Sequence, residues 1–325
     1  MSVPALVWNG GHDVVVREEP RPAVPDGWAL VDVAYCGLCG TDLHICAGEH
    51  PRAKPGIVIG HEISGTVHAD AAGLPAGTKV VVDPLLPCGR CGPCRNGRPH
   101  TCASLRLIGI DAPGGAARQV AVPADRLIPV PPTADLRHLA FAEPLAVAVR
   151  AVRQSGLRLG QTVIVAGAGP VGLAVALCAR RAGAGDVVVA EPSPLRRGLA
   201  AELGFESVES FGDLSADVFF DAAAHPAVAA GMTAATAPAG RIVLVGVYGT
   251  PAAVDLQAVT FKEITLIGTR VYSRDDIRTA TEMICAGQVD PEPFLTGTVP
   301  LEEAAGAIAD LRAGRQVKVL VRGAS

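Results

Sequence analysis

Cys88, Cys91, Cys94 and Cys102 place four thiols within fifteen residues, in the pattern Cys-x2-Cys-x2-Cys-x7-Cys. Zinc imposes no geometry of its own and accepts a tetrahedron of four sulfurs. The two-residue spacers let one loop wrap an ion, with Gly89, Gly92 and Pro93 supplying the tight turns. Four thiolates leave no open coordination position, so a zinc held there is structural. The bland alternative is a cluster of free thiols or a redox pair. A nucleic-acid zinc ribbon would want basic and aromatic surroundings, which the segment lacks.

A second set of candidate ligands is dispersed: Cys39-Gly40-Thr41-Asp42-Leu43-His44, then Gly60-His61-Glu62, then Glu143-Pro144-Leu145. A thiolate, an imidazole and carboxylates suit zinc, and three protein ligands plus one open position make a catalytic site. Singly, each piece has an ordinary structural explanation. A His-Glu pair is often packed or solvated, and Glu-Pro at a helix start complements the helix dipole. Beside a four-thiolate lobe the three pieces together become specific.

The third motif is Gly167-Ala168-Gly169-Pro170-Val171-Gly172, between an apolar run and an Ala-rich stretch. Gly167 allows a tight turn, Gly169 lets backbone approach a pyrophosphate, and Gly172 lets helix pack on strand. Phosphates then face a helix N-terminus, where free N–H groups and the dipole favour negative charge. Glu191, nineteen residues after Gly172, stands where a carboxylate would bind the adenine ribose, which favours NAD over NADP. Arg196-Arg197 could instead neutralise a 2′-phosphate, and a solvated strand-end acid at Glu191 would leave the preference undecided.

These residues need two kinds of scaffold. The first ~140 residues read as short β-rich pieces with Gly and Pro punctuation, including strands at Ala29–Tyr35, Ile57–Ile59 and Lys79–Asp83. After a helix from Glu143 to Gln154 the texture changes. Strands at Thr162–Ala166, Asp186–Ala190, Asp217–Asp221, Arg241–Val245 and Ile264–Gly268 alternate with helices around Val171–Ala182, Pro194–Leu203 and Pro226–Ala237. Apolar strands alternating with helices predict a doubly wound parallel sheet, an α/β fold. The tail adds helices near Asp275–Ala286 and Leu301–Arg312 and a strand at Val317–Val321 that returns to the first domain.

At 325 residues the chain has room for two cores. It is 49% apolar and 18% charged, a globular balance, and with only 4% aromatics its core must be aliphatic. A formal charge of −4 without a Lys/Arg run excludes nucleic acid or a membrane surface as the main partner. No segment reaches the ~18 apolar residues of a membrane span, and Met1 to Arg17 lacks a secretory signal pattern. Nine cysteines in such a chain point to thiol ligands or free thiols in the cytoplasm, not disulfides.

The order Cys-Gly-Thr-Asp-x-x-His, Gly-His-Glu, four-cysteine lobe, Glu-Pro-Leu and Gly-x-Gly-x-x-Gly resembles the zinc-containing medium-chain alcohol dehydrogenases, across essentially the whole chain. It looks closest to their sorbitol, threonine and butanediol dehydrogenase branch. The resemblance implies a GroES-like β-rich catalytic domain at 1–144 with the structural zinc lobe at 84–103. A Rossmann domain at 145–268 and a return at 269–325 complete it, with the catalytic zinc and nicotinamide in the cleft between domains. It implies Cys39, His61, Glu62 and Glu143 as ligands of a catalytic zinc, Glu62 binding or exchanging and Glu143 lying on the metal or its bound water. Asp42 becomes an acceptor orienting the histidine ligand. Thr41 and His44 fall where a proton relay runs, although a helix cap and a surface histidine explain them equally simply. Gly167, Gly169, Pro170, Val171, Gly172, Glu191 and Arg196 would bind the dinucleotide, Arg196 lying over the adenine.

The implied reaction is reversible hydride transfer from a secondary alcohol (polyol, diol, cyclitol or amino-alcohol) to NAD, with zinc as Lewis acid on the substrate oxygen. A homodimer or homotetramer is implied as well. The segment from His44 to Gly60 is shorter than in polyol relatives, which implies a more open or differently shaped pocket, and Arg150 and Arg118 stand where many relatives carry His and Glu. Two rival readings are a ketone or alkene reductase without catalytic metal and a non-catalytic dinucleotide sensor.

Overall fold

The computed structural model describes residues 2–323. Met1, Ala324 and Ser325, which the expected domain ranges include, lie outside the described residues. Short alternating apolar runs build the first part of the chain: β1 (Ser2–Gly10), β2 (Asp13–Pro20), β3 (Trp28–Gly37), α1 (Gly40–Cys46), β4 (Ile57–Val58), β5 (Glu62–Val67) and β6 (Lys79–Val82). There follow β7 (Leu85–Leu86), α2 (Gly92–Arg95), β8 (Arg106–Leu107), β9 (Gln119–Pro123), β10 (Leu127–Pro129) and α3 (Leu136–Leu139). The alternating half begins with α4 (Ala142–Ser155), β11 (Val163–Ala166), α5 (Pro170–Arg181), β12 (Val187–Ala190), α6 (Pro194–Glu202) and β13 (Glu206–Val208). It continues through β14 (Ala216–Asp221), α7 (Pro226–Gly231), β15 (Thr236–Leu244), α8 (Leu256–Phe261), β16 (Thr265–Gly268) and α9 (Arg274–Cys285). The tail supplies β17 (Gly297–Pro300), α10 (Ala304–Arg312) and β18 (Val319–Arg322).

The chain divides into two units. Unit 1 joins Met1–Glu143 to Ile277–Ser325, and unit 2 is Pro144–Asp276. In unit 1 a seven-stranded sheet runs β10-β6-β5-β3-β18-β17, with β9 also pairing β3. It is antiparallel except for the β17–β18 pair. The tail strand thus sits inside the sheet rather than on it, opposite Tyr35–Gly37 of β3. Val31, Ile63, Val80, Val82, Val120, Val122 and Leu320 are buried and line the core. Loss of their apolar surface from water, at roughly 25 cal/mol per Å², is the main term holding the sheet.

Unit 2 contains a six-stranded, wholly parallel sheet in the order β13-β12-β11-β14-β15-β16. All four residues of β11 are buried, as expected of a central strand covered on both faces. Strand order reverses between β11 and β14, so the crevice at their carboxyl ends is the place where such sheets bind ligands. Ile164, Phe219, Met232 and Ile242 pack one face.

Three differences from the sequence reading have local causes. The helix expected to Ala237 stops at Gly231, because Thr236 already pairs with Ala216 across a register shift. The strand expected from Arg241 therefore begins at Thr236, in a Thr-Ala-Pro-Ala-Gly stretch with little strand propensity of its own. The hairpin β1–β2 and strand β17 are not among the strands read from the sequence.

Candidate functional site

Cys39 is the N-cap of α1, and the third helical residue, Asp42, accepts a 2.8 Å bond at Oδ2 from the Cys39 backbone N–H. The other oxygen, Oδ1, accepts from Gly60 N at 3.2 Å. One buried carboxylate thus ties together the backbone that carries Cys39 and the backbone just before His61. Gly60 has φ +95°, and an added Cβ would press on the Cys36 sulfur, 2.5 Å away, and on Ala116 N. Only glycine turns the chain here.

The Cys39 sulfur, a ring nitrogen of His61 and a carboxylate oxygen of Glu62 all lie within 4.8 Å of one another. His61 and Glu62 are 4% and 0% exposed. Among the described residues His61 Nδ1 is buried without a hydrogen-bond partner, and Asp42 Oδ1 lies 3.8 Å from it. Asp42 therefore faces the imidazole as a charge while its hydrogen bonds go to backbone. Burial opposes a charge on His61, yet Asp42, Cys39 and Glu143 outweigh it and raise the imidazole well above its ordinary pKa. The pocket's field draws positive charge, which suits a divalent cation.

Glu62 has a partner that the sequence reading missed. Lys318 Nζ donates to both its oxygens, at 2.6 and 2.7 Å, and to the Leu38 carbonyl at 3.1 Å. Lys318 is 2% exposed, immediately before β18. Its desolvation is outweighed by Glu62, Cys39 and Glu143, and its pKa is raised. Gly37, opposite Glu62 in the β3–β5 ladder, leaves the space the carboxylate occupies; a Cβ there would collide with Oε2. The available signal was a lysine flanked by valines in Val317-Lys318-Val319-Leu320-Val321.

Glu143 is 6% exposed in the first turn of α4 and stands outside the Cys39–His61–Glu62 group, although its charge is felt at His61 and Lys318. Thr41 Oγ1 lies 3.9 Å from the Cys39 sulfur. His44, one turn along α1, is solvent-exposed and pairs with Glu49 through Nδ1 at 2.9 Å. The structure therefore brings Thr41 to the thiol and His44 to the surface.

Cys88, Cys91, Cys94 and Cys102 form a second group within the same 4.8 Å limit. Cys91 Sγ is 3.4 Å from Cys94 Sγ and 3.8 Å from Cys102 Sγ, while Cys88 N donates to Cys102 Sγ at 3.3 Å. Backbone N–H groups of Arg90 and Cys91 turned toward Cys88 pull its thiol down to about 6.

In unit 2 the turn after β11 has Gly167 at φ +102°, and a Cβ on Gly172 would run into the Gly167 carbonyl oxygen. A Cβ on Gly169 meets nothing within 4 Å, so the room there lies outside the protein's own packing. Gly169 caps α5, with Pro170 and Val171 in its first turn. Glu191 Oε2 accepts from Ala168 N at 2.8 Å and Oε1 from Ser193 N at 3.0 Å. A carboxylate has about four acceptor positions, so each oxygen retains capacity for a hydroxyl. Arg197 donates to the Glu191 and Pro192 carbonyls, whereas Arg196 is half-buried.

Residues 25–132 match the alcohol dehydrogenase GroES-like domain family, and residues 170–286 match the zinc-binding dehydrogenase family. A 2-dehydro-3-deoxy-L-galactonate 5-dehydrogenase of Pseudoalteromonas atlantica is 38% identical, covering 98% of this chain and 98% of its own. The chain belongs to the zinc-type medium-chain dehydrogenase family. Two solved structures share its fold throughout. One, described as a zinc-binding dehydrogenase from Sinorhizobium meliloti 1021 bound to NADP, has a TM-score of 0.93 at 30% identity over 99% of both chains. The other, an alcohol dehydrogenase from E. coli CFT073 complexed with NADH, has a TM-score of 0.92 at 28% identity over 99% of both chains. This dehydrogenase is a zinc-dependent oxidoreductase with one catalytic-type and one structural-type candidate zinc cluster. The soft thiolate, the imidazole and the buried acid of the first cluster fit zinc, as does the unpartnered buried ring nitrogen. The four sulfurs of the second fit a closed structural site.

Proposed function

We propose that this dehydrogenase reversibly oxidises a secondary alcohol of a small polyhydroxylated molecule (polyol, diol, cyclitol or amino-alcohol), with NAD as hydride acceptor. The observation that carries the reading is the convergence of Cys39, His61 and Glu62 ligand atoms within 4.8 Å in a pocket whose field favours a cation. Similarity to a dehydrogenase named for a sugar acid supports a polyhydroxylated substrate, within the sorbitol, threonine and butanediol dehydrogenase branch that the motifs resemble. A metal-independent reductase would have no use for this constellation.

Zinc, when bound, supplies Lewis acidity toward the substrate oxygen. Cys39 and His61 would hold it, with Glu62 and Glu143 as the acids beside it. Asp42 fixes both ligand-bearing segments of backbone and neutralises charge on the imidazole. Lys318 holds Glu62 through both oxygens, so Glu62 reaches a metal only by loosening that pair. Thr41, beside the Cys39 sulfur, would pass the alcohol proton along α1 toward His44 at the surface. Glu191 would accept the ribose hydroxyls and repel a 2′-phosphate, and Arg196 would lie over the adenine.

An NAD- and NADP-coupled screen over polyols, diols, cyclitols and amino-alcohols tests this, with Cys39→Ser alongside. Expected are two zincs per chain, turnover on at least one alcohol with NAD preferred, and loss of about two or more orders of magnitude in rate on Cys39→Ser, the scale of a missing electrostatic catalyst. Full activity in Cys39→Ser would remove zinc from the chemistry. Two zincs with no turnover on any alcohol would favour a sensor.

Among the described residues no helix is long and apolar enough to cross a membrane. Unpaired cysteines suit a reducing cytoplasm. Strand β16 is an edge of the parallel sheet with Leu266 38% exposed, and Phe261 just before it is 79% exposed. This edge fits a second copy of the chain, giving a homodimer or, with a further contact, a homotetramer.

A further inference from the structure

We propose that unit 1 carries a second ligand site, separate from the metal cluster, for a small molecule bearing two negative charges on oxygen. The site lies where β3 changes neighbours. Along one edge of β3, β9 pairs with Trp28–Asp32 and β18 pairs with Tyr35–Gly37. Val33 and Ala34 lie in the seam between them. Val33 N–H donates to the Arg118 carbonyl at 3.0 Å, and Gly323 N–H donates to the Ala34 carbonyl at 3.0 Å. Two consecutive residues of one strand thus pin the backbone at Arg118 and beside Arg322, bringing both arginines to a single seam. Glycine at 323 is required there, because a Cβ would collide with the Val33 carbonyl oxygen.

Arg118 and Arg322 line a cavity of about 680 Å³, together with Arg21, His68, Asp32 and Gln119. That volume is in the range of small-molecule sites. The single aspartate is already engaged. Asp32 Oδ1 accepts from Gln119 at 2.7 Å and Oδ2 pairs with His68 Nδ1 at 2.8 Å. His68 Nε2 in turn meets an Arg21 guanidinium nitrogen at 2.6 Å, so the imidazole links Arg21 to Asp32. No such arrangement serves the other two arginines. Neither the Arg118 nor the Arg322 guanidinium has a hydrogen-bond or ion-pair partner among the described residues. Like charges brought together by backbone ladders raise the local potential. Guanidinium forks satisfy it by gripping oxyanions through paired N–H donors, as they do phosphates and carboxylates.

Isothermal titration of the zinc-loaded enzyme tests the site, with saturating NAD present to occupy the glycine-rich turn. Inorganic phosphate and malonate are the two probes, so the arms separate a phosphate from a dicarboxylate, and chloride at matched ionic strength is the control. The expected result is saturable binding of one probe per chain, weakened about tenfold or more by Arg118→Glu and by Arg322→Ala, the weight of one charge-assisted contact. Both side chains are exposed, and circular dichroism checks that the variants stay folded. Heats no larger than with chloride overturn the proposal. So does binding that is unchanged in both variants.

Discussion

Lys318 and Glu62 form a buried ion pair at the floor of the metal cluster, with side chains 2% and 0% exposed. Such a pair gains little over an apolar replacement, but breaking it from one side strands a charge. Lys318→Met should therefore destabilise unit 1 by about 3–5 kcal/mol, while Glu62→Gln with Lys318→Met should recover much of that loss. Urea denaturation followed by far-UV circular dichroism checks both, and a single variant as stable as the parent would sink the argument. Zinc content of the double variant separates support of the fold from support of the metal. The site's legibility in the sequence follows the same division. Cys39, His61 and Glu62 could be read because ligand chemistry is a property of residue type, and few other types do it. Lys318 could not, since its partner is 256 positions away and only the β3–β18 ladder brings them together. Glu143 shows the converse: its type suits a ligand, yet it stands apart from the three-residue group.

At the scale of elements, five of the six strands of the parallel sheet were readable, because β11 and β12 are continuous apolar runs and β14 has an apolar centre between Asp217 and Asp221, whereas the three-residue β13 was not read. The β-rich part was less so. Strands of two or three residues such as β7, β8 and β10 carry too few positions for a period to show. The start of β15 is set by pairing with β14, which overrides local propensity. The four-cysteine lobe has only short elements, the two-residue β7, the four residues of α2 and a single 3-10 turn at Pro99–Thr101, so its shape should depend on metal. Cys102 is 0% exposed and approaches Cys91 Sγ and Cys88 N. Cys102→Ser should lower zinc from two to one per chain by elemental analysis and open 88–102 to proteolysis; an unchanged zinc count would refute a closed site. For β16, Leu266→Asp places a charge on the exposed sheet edge, where it would face its own copy across a twofold axis. Sedimentation should show the proposed dimer shifted toward monomer, and an oligomer undisturbed by the substitution would move the interface elsewhere.

For the molecule as a whole, the two units differ in how they depend on chain order. Unit 2 is one continuous stretch, with every strand of its sheet between Val163 and Gly268. Unit 1 is not, because β18 enters its sheet between β3 and β17 and delivers Lys318 to Glu62. Helix α3 and the single turn at Glu292–Phe294 add a further link, with Arg137 and His138 both bonded to the Glu292 carboxylate. That surface link is worth at most about 1 kcal/mol, so the main loss on removing the tail is the strand itself. Residues 144–276 expressed alone should therefore fold and bind a nicotinamide dinucleotide through the Gly167–Gly172 turn, whereas residues 1–143 alone should not fold. Without β18, the backbone donors and acceptors of Tyr35–Gly37 lose their ladder and Glu62 is a buried carboxylate without a cation. Circular dichroism melts of the two fragments make the comparison. A cooperative transition in 1–143 alone, without 277–323 supplied as a separate peptide, would show that the tail is dispensable to the sheet that positions the candidate metal ligands.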